Sequence, residues 1–410
     1  PVEVFTNEEL EEQGAPTALE FVKNLTASGP TTGEAYYFGG AASTGSPSFN
    51  LRGIGADKTL TLLNGRRVSE NAALIPSIAV ARTEILKDGA AVTYGADATG
   101  GVVNFITRDN FVGLEASAQY KFIDSSDGDY GLAILGGFGE GDTNFVWSAE
   151  WEHRSRLNTL DRPGVTQPSL DYDGTNGDVA NPAPWSTLTN LAGWRALGPR
   201  PTAPASNAYT DEFGPLFGFA SDFTPASCGA VGGIYGNAFT CSYNYIPYYN
   251  LVENQDTFRA YAQLNSVIND NVEFHMDAAF GLVDVPEVYG SPSQPVVRGP
   301  ARAAGLTQQY YVPRSNPGWD EFAQRSGLVN SPFYGAIQGA TPITFRPLAH
   351  GGNPVLGGQG TFGVPSRINN SVWRVSSGLT GDMAAIADFL QGISFDVAAT
   401  YNQANSEGDA

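Results

Sequence analysis

Long stretches of this chain alternate apolar and polar residues with a period of two. In one of them Val112, Leu114, Ala116, Ala118, Tyr120 and Phe122 fall on one face, and Gly113, Glu115, Ser117, Gln119 and Lys121 on the other. Successive side chains of a β-strand point to opposite sides, so the pattern predicts a strand with one fully apolar face. Phe145, Trp147, Ala149 and Trp151 repeat it against Asn144, Ser148, Glu150 and Glu152. So do Phe258, Ala260, Ala262 and Leu264 against Thr257, Arg259, Gln263 and Asn265, and the runs Val272 to Phe280 and Ile393 to Tyr401. Between residues 111 and 405 the count comes to seven strands.

Residues 1 to 110 follow another pattern. Val2 and Val4 open a short alternating run, and Thr6 with Glu9 three residues on forms a capping-box signature for a helix that Gly14 ends. A second short helix is predicted from Thr17 to Leu25. After a stretch rich in Gly, Ala and Ser (residues 39–48), two strand-like runs flank Asn64-Gly65, a strong hairpin signal. Gly89, Gly95, Gly100 and Gly101 punctuate tight turns before a strand from Val102 to Thr107. Short helices mixed with short strands predict a small α/β domain here.

Three segments of that domain occur in a telling order: LRGIG (51–55), LTLLNGRRV (60–68) and TEILKDGAAVTYGADATGGVVNFIT (83–107). Together they closely resemble the plug domain of TonB-dependent outer-membrane receptors, over nearly all of residues 1 to 108. The resemblance implies an all-β, antiparallel membrane β-barrel of about 22 strands with residues 1–110 as an α/β plug inside its lumen. Residues 111–410 then supply the first strands, and the remaining ones are expected beyond Ala410. It implies active transport of a nutrient across the bacterial outer membrane, energised by TonB and its inner-membrane complex. Gly53, Gly65, Gly95, Gly100 and Gly101 are then the turns of the plug motifs. Arg52, Arg82 and Glu84 match charged positions that commonly latch plug to wall. The TonB-contacting segment of the family normally precedes the plug; this chain opens at Pro1 with neither an initiator Met nor a signal peptide, and reads as processed or trimmed.

Connection lengths separate a membrane barrel from a soluble sandwich. Glu140-Gly141-Asp142 and Asn269-Asp270-Asn271 are tiny turns, and they alternate with long excursions, residues 158–254 and 287–366. If the plug exits on the periplasmic side, counting strands up and down places both tiny turns and the 382–392 connection in the periplasm and both excursions outside the cell. Short periplasmic turns with long extracellular loops are the asymmetry of outer-membrane barrels. Seven strands cannot stand alone in lipid, where a free edge leaves backbone groups unsatisfied.

Composition is consistent with this picture. No run approaches the roughly 18 apolar residues of a spanning helix, and a mean hydropathy of −0.18 is what alternating strands average to. With 22 Lys+Arg against 42 Asp+Glu the net charge is −20, which argues against nucleic acid, since phosphates require clustered cations.

Candidate chemistry is sparse. Cys228 and Cys241 suit one disulfide in an oxidising compartment, with two unpaired thiols as the alternative. Gly358, Gly360 and Gly363 match a dinucleotide fingerprint by spacing alone, without a βαβ unit around them. His153, His275 and His350 are scattered, and no nucleophile elbow, HExxH or P-loop occurs, so no enzyme is predicted. No cofactor is required; Asp171, Asp173 and Asp178 in DYDGTNGD offer oxygens for Ca²⁺, although Asp, Asn and Gly are also ordinary turn residues. Trp185, Trp194, Tyr245, Tyr248, Tyr310 and Trp319 could stack on a small-molecule or glycan ligand at the barrel mouth, or serve as the loops' own core. Aromatic loops short of basic residues lean toward a carbohydrate or other organic nutrient. Ferric siderophores and cobalamin are the alternatives within the family, and a non-transporting plugged barrel acting as receptor or anchor is the alternative of another class.

Overall fold

The computed structural model describes residues 2–12, 21, 25, 49–68, 76–87, 89–140, 142–164, 185–186, 193–197, 216–221, 225–230, 233–237, 240–244, 250–288, 312–344, 366–383 and 392–409. Its first strand, β1 (Val2–Thr6), runs into helix α1 (Asn7–Glu12) through the predicted capping box. The Thr6 amide donates to Glu9 Oε2 at 2.8 Å, and the Glu9 amide returns a bond to Thr6 Oγ1 at 3.2 Å. The 17–25 helix lies outside the described residues apart from Phe21 and Leu25.

Strands β2 (Thr59–Leu63), β3 (Arg66–Arg67), β4 (Val80–Leu86) and β5 (Gly101–Thr107) join β1 in a five-stranded sheet of order β1-β4-β5-β2-β3. The β2–β3 hairpin turns on Asn64 and Gly65, at φ 52° and 74°. Positive φ at both central residues is the geometry that matches the twist of the flanking strands, and Asn-Gly adopts it at least cost. A β2–β5 parallel pair forms the centre, and β2 is buried along its whole length. A ring cluster of Phe5, Phe21, Phe49 and Phe105 lies on one side of the sheet, with centroids 5.6–6.5 Å apart. Leu60, Leu62, Ala98 and Val102 pack on the other, beside helix α2 (Ala90–Tyr94).

The chain continues through β6 (Gly113–Lys121), β7 (Asp129–Glu140), β8 (Thr143–Arg154) and β9 (Leu157–Asn158). In the first excursion come β10 (Trp185–Ser186), β11 (Gly193–Leu197), β12 (Leu216–Ser221), α3 (Pro225–Ala230), β13 (Ile234–Asn237), β14 (Thr240–Asn244) and β15 (Asn250–Val252). Then follow β16 (Gln255–Asn269), β17 (Val272–Val288), β18 (Val312–Pro313), α4 (Trp319–Arg325), β19 (Gly339–Thr344), β20 (Ser366–Asp382) and β21 (Ser394–Asp409).

Seven of these strands form one antiparallel sheet in the order β21-β20-β17-β16-β8-β7-β6, the neighbours being successive passes of the chain. Only residues 141–142 separate β7 from β8, and only residues 270–271 separate β16 from β17. The faces of this sheet are inverted relative to a soluble sheet. Leu114, Leu132, Phe138, Phe258, Trp373 and Val397 stand exposed on the outward face. Ser148, Glu150, Arg259, Asp277, Arg374 and Ser376 are buried on the inward one. An apolar exterior around a polar interior is the arrangement of a wall that faces lipid. No helix among the described residues is long and apolar enough to cross a membrane.

The chain divides into two compact units. Residues 1–157, 250–288 and 366–410 hold the α/β sheet and the seven-stranded wall; residues 158–249 and 289–365 form the other. The second unit has structure of its own that strand alternation did not predict. A four-stranded sheet, β12-β11-β19-β18, takes strands from both excursions, and a three-stranded sheet is ordered β10-β14-β13. Ala196, Ala323, Leu328, Ile337 and Ala340 pack around Trp319 there.

Candidate functional site: the seam between plug and wall

The α/β domain and the inward face of the wall share one apolar core, in which Phe49, Leu51, Leu63, Ile78 and Phe105 join Leu135, Val146, Tyr261, Ala279 and Val372. Around this core the contact becomes polar. At the hairpin, Asn64 Nδ2 donates to Thr107 Oγ1 at 2.9 Å and to Tyr261 OH at 3.1 Å. Thr107 and Tyr261 both reach Gln263 Oε1, at 2.6 and 2.7 Å. The hairpin turn, one plug strand and one wall strand are thereby tied in one network whose Tyr261 member is 3% exposed.

Arg66, two residues on in the hairpin, reaches strands further along the same inward face of the wall. Its Nη2 pairs with Asp396 on β21 at 2.9 Å and lies 2.5 Å from His275 Nε2 on β17. Where the domain exits, Arg108 pairs with Glu115 on β6 at 2.7 Å.

A third contact belongs to the 3-10 turn Ser77–Ala79. The Ser77 amide donates to Glu150 Oε2 at 2.9 Å, and the other oxygen of Glu150 receives Arg259 Nη1 at 2.5 Å. The same nitrogen reaches Glu152 at 2.7 Å. A cavity of about 230 Å³ adjoins this group, lined by Ser77, Glu115, Ser117, Gln119, Glu150 and Glu152 among others. Deeper in the wall, Arg374 is fully buried and pairs with Asp277 on β17.

Several expected site residues are placed differently. Arg82 Nε pairs with Glu84 Oε1 at 2.8 Å, and Glu84 also accepts from Asn104. Two residues apart on β4, they share a face and pair with each other, so this pair lies within the plug. Arg52 is exposed and donates to the Lys87 carbonyl at 2.6 Å, again inside the plug. The bonds from the plug to these seven wall strands are made instead by Asn64, Arg66, Thr107 and Arg108. Trp319 is 2% exposed in the core of its own unit, which removes it from the ligand-mouth candidates. Trp185 lies on β10 and Trp194 on β11. Tyr245, Tyr248, Tyr310, His350, the glycine triplet at 358–363 and the Asp171, Asp173 and Asp178 oxygens lie outside the described residues. Among the described residues no group of three or more His, Cys, Asp or Glu could hold a metal ion. Cys228 is disulfide-bonded, and the other cysteine of the chain is Cys241. Of the plug-motif glycines, Gly53, Gly65, Gly95 and Gly101 have φ of 69°, 74°, 87° and 133°. At Gly100 a Cβ would stand 2.9 Å from the Lys58 carbonyl oxygen.

Residues 1–102 match the family model of the TonB-dependent receptor plug domain. That part of the chain is thus a plug domain of the TonB-dependent receptor kind. It is 30% identical over 148 residues to the vitamin B12 transporter BtuB of Photobacterium profundum, a stretch that is 34% of this chain and 23% of that protein. Against the BtuB of Vibrio vulnificus it is 31% identical over 112 residues, 26% of this chain and 17% of the relative. The match thus spans less than a quarter of the length of either curated relative. Among solved structures, the ferric enterobactin receptor PfeA of Pseudomonas aeruginosa superposes on 99% of this chain and 41% of its own, with 11% identity and a TM-score of 0.49. The siderophore receptor PirA of Acinetobacter baumannii covers 99% and 40%, at 13% identity and a TM-score of 0.44.

The α/β domain is thus the part that carries the plug-domain match, and the seven-stranded sheet packs against it through its inward face. Alternation could place Glu150, Arg259 and Gln263 on the inward face, and Asn64-Gly65 was legible as a turn. What sequence could not give was the pairing, because Asn64 and Tyr261 are 197 residues apart. Arg66 and Asp396 are 330 apart.

Proposed function

We propose that this receptor imports an organic nutrient across the outer membrane, with the plug closing the lumen until TonB and its inner-membrane complex pull on it. The observation that carries the reading is the seam: a plug held against a wall by dispersed hydrogen bonds and ion pairs around a small apolar core. Each polar contact gives up little net free energy when it is exchanged for water. A pulling force can therefore open such a seam stepwise, whereas a large apolar interface would resist as one unit.

On this reading the connections at 141–142 and 270–271 and the one after Asp382 face the periplasm, and residues 158–254 and 287–366 face outward. The ligand class we favour is a carbohydrate or other organic nutrient lacking net negative charge. The net charge of −20 favours uncharged or cationic cargo over an anionic ferric chelate. Cobalamin is the second reading, favoured by the similarity of 148 residues to a vitamin B12 transporter.

A deletion strain and its complemented parent would be compared for growth on single carbon sources, cobalamin and iron chelates, and for uptake of the labelled compound. Uptake that needs both the complete receptor and a proton-motive force is expected. Uptake unchanged by deletion on every source would leave a surface receptor or anchor as the better reading.

A further inference from the structure

The contact between Arg66 and His275 fixes a protonation state. A guanidinium has only donors, so His275 Nε2, 2.5 Å from Arg66 Nη2, must be the acceptor and carry no proton. The proton of the neutral ring then sits on Nδ1, which faces Thr380 Oγ1 on β20 at 3.4 Å. The ring has room to reach the plug because the residue across from it is Gly378: a Cβ there would stand 2.6 Å from Nε2. Arg66 itself is held by both oxygens of Asp396, at 2.9 and 3.2 Å. One plug side chain thus joins β17 and β21. Its two wall partners and the Thr380 beside His275 lie at one rim: His275 three residues past the start of β17, Asp396 two past the start of β21, Thr380 two before the end of β20.

We propose that Arg66, His275 and Asp396 form a proton-sensitive latch, which holds the plug hairpin to the wall while His275 is neutral and releases it when His275 is protonated. A proton on Nε2 removes the acceptor and sets an imidazolium against a guanidinium at contact distance. The imidazolium then competes with Arg66 for Asp396. The other charges next to His275 on its own strand are Glu273 and Asp277, and Asp277 is taken up by Arg374 of β20. The carboxylates Glu273 and Asp396 stabilise the imidazolium once formed, so they favour the released state. The latch is a property of the plug and wall; only its use in gating rests on the transport reading.

The test uses the complete receptor in lipid, with spin labels at two exposed positions, Lys58→Cys on the plug and Ser394→Cys at the rim of β21. Inter-label distances are read from about pH 8 to about pH 5, across the ordinary imidazole range near 6.5. A second, longer distance should grow as the pH falls. His275→Gln, which offers a neutral acceptor at every pH, should abolish that growth, and His275→Lys should show the longer distance throughout. His153→Gln should leave the step in place. Distances that do not change with pH, or a step that survives His275→Gln, would overturn the latch. A clean step in a receptor that takes up no ligand would instead count against the transport reading and leave the latch standing.

Discussion

At the scale of single residues, the seam combines groups of very different cost. Arg259 stands between Glu150 and Glu152 with 7% of its side chain exposed, and the three form a closed charge group. Removing charges from water costs most of what their pairing returns, so the group adds little net stability while intact. Deleting one member is another matter, because it strands the others. Arg259→Ala should cost about 3–5 kcal/mol of receptor stability, measured by thermal unfolding of the complete protein in detergent. Adding Glu150→Gln and Glu152→Gln to it should recover most of the loss. If the triple variant is no better than Arg259→Ala, shape and not charge holds this part of the seam. Exposed charges behave differently. The Thr6 amide, then its hydroxyl, donate to Glu9 and hold its carboxyl below the usual glutamate range. A lowered folded pKa means the cap is fully effective above the unfolded pKa and lost as pH falls through the folded one. Amide protection of residues 7–12 should therefore fall on acidification below about pH 4, and Glu9→Gln should remove that step. The capping box was readable from Thr6 and Glu9 because it is local; the charge group was not, because Glu150 and Arg259 are 109 residues apart.

At the scale of elements, the β2–β3 hairpin has two roles that substitution can separate. Its turn needs positive φ at Gly65 (74°), and its Asn64 side chain bonds the wall. Gly65→Ala forces an L-residue into the left-handed region at about 1–2 kcal/mol, with nothing within 4 Å of the new Cβ. It should lower stability and leave the plug seated. Asn64→Ala takes one of several partners from the Thr107 and Tyr261 hydroxyls and leaves the Thr107 amide unmet, at about 1–3 kcal/mol. It should also speed hydrogen exchange at Thr107, whose amide donates to Asn64 Oδ1. Equal exchange at Thr107 in the two variants would show the hairpin to be a turn and nothing more. The strands themselves were legible because a period of two is written along each of them. The strands inside 158–249 and 289–365 were not, since they are two to six residues long and pair across the excursions, β11 with β19 for one. The same long-range folding buries Trp319, an aromatic that composition alone offered to a ligand.

At the scale of the whole molecule, the inverted faces of the wall make a claim that one kind of substitution tests on both sides. Outward Leu132 on β7 and Val397 on β21 are 57% and 67% exposed, while Ser376 and Thr400, hydrogen-bonded at 2.9 Å, lie on the inward face. If lipid covers the outward face, an arginine there must be buried in hydrocarbon or drag water to it, at about 2–4 kcal/mol near the bilayer midplane and about 0–1 kcal/mol toward the interfaces. Leu132→Arg should reduce the amount of folded receptor recovered from the outer membrane and lower its unfolding midpoint in lipid. Thr400→Arg, facing the lumen, should cost only the Ser376 hydrogen bond and local packing, and should fold. In a water-covered sheet the order would reverse, with Leu132→Arg harmless and Thr400→Arg disruptive. The ranking therefore separates a membrane wall from a soluble sheet without a ligand in hand. It also tests what alternation could say unaided, since a period of two divides the faces but does not tell which one meets lipid. That assignment came from the plug, whose apolar core with Leu135, Val146 and Tyr261 marks the inward side.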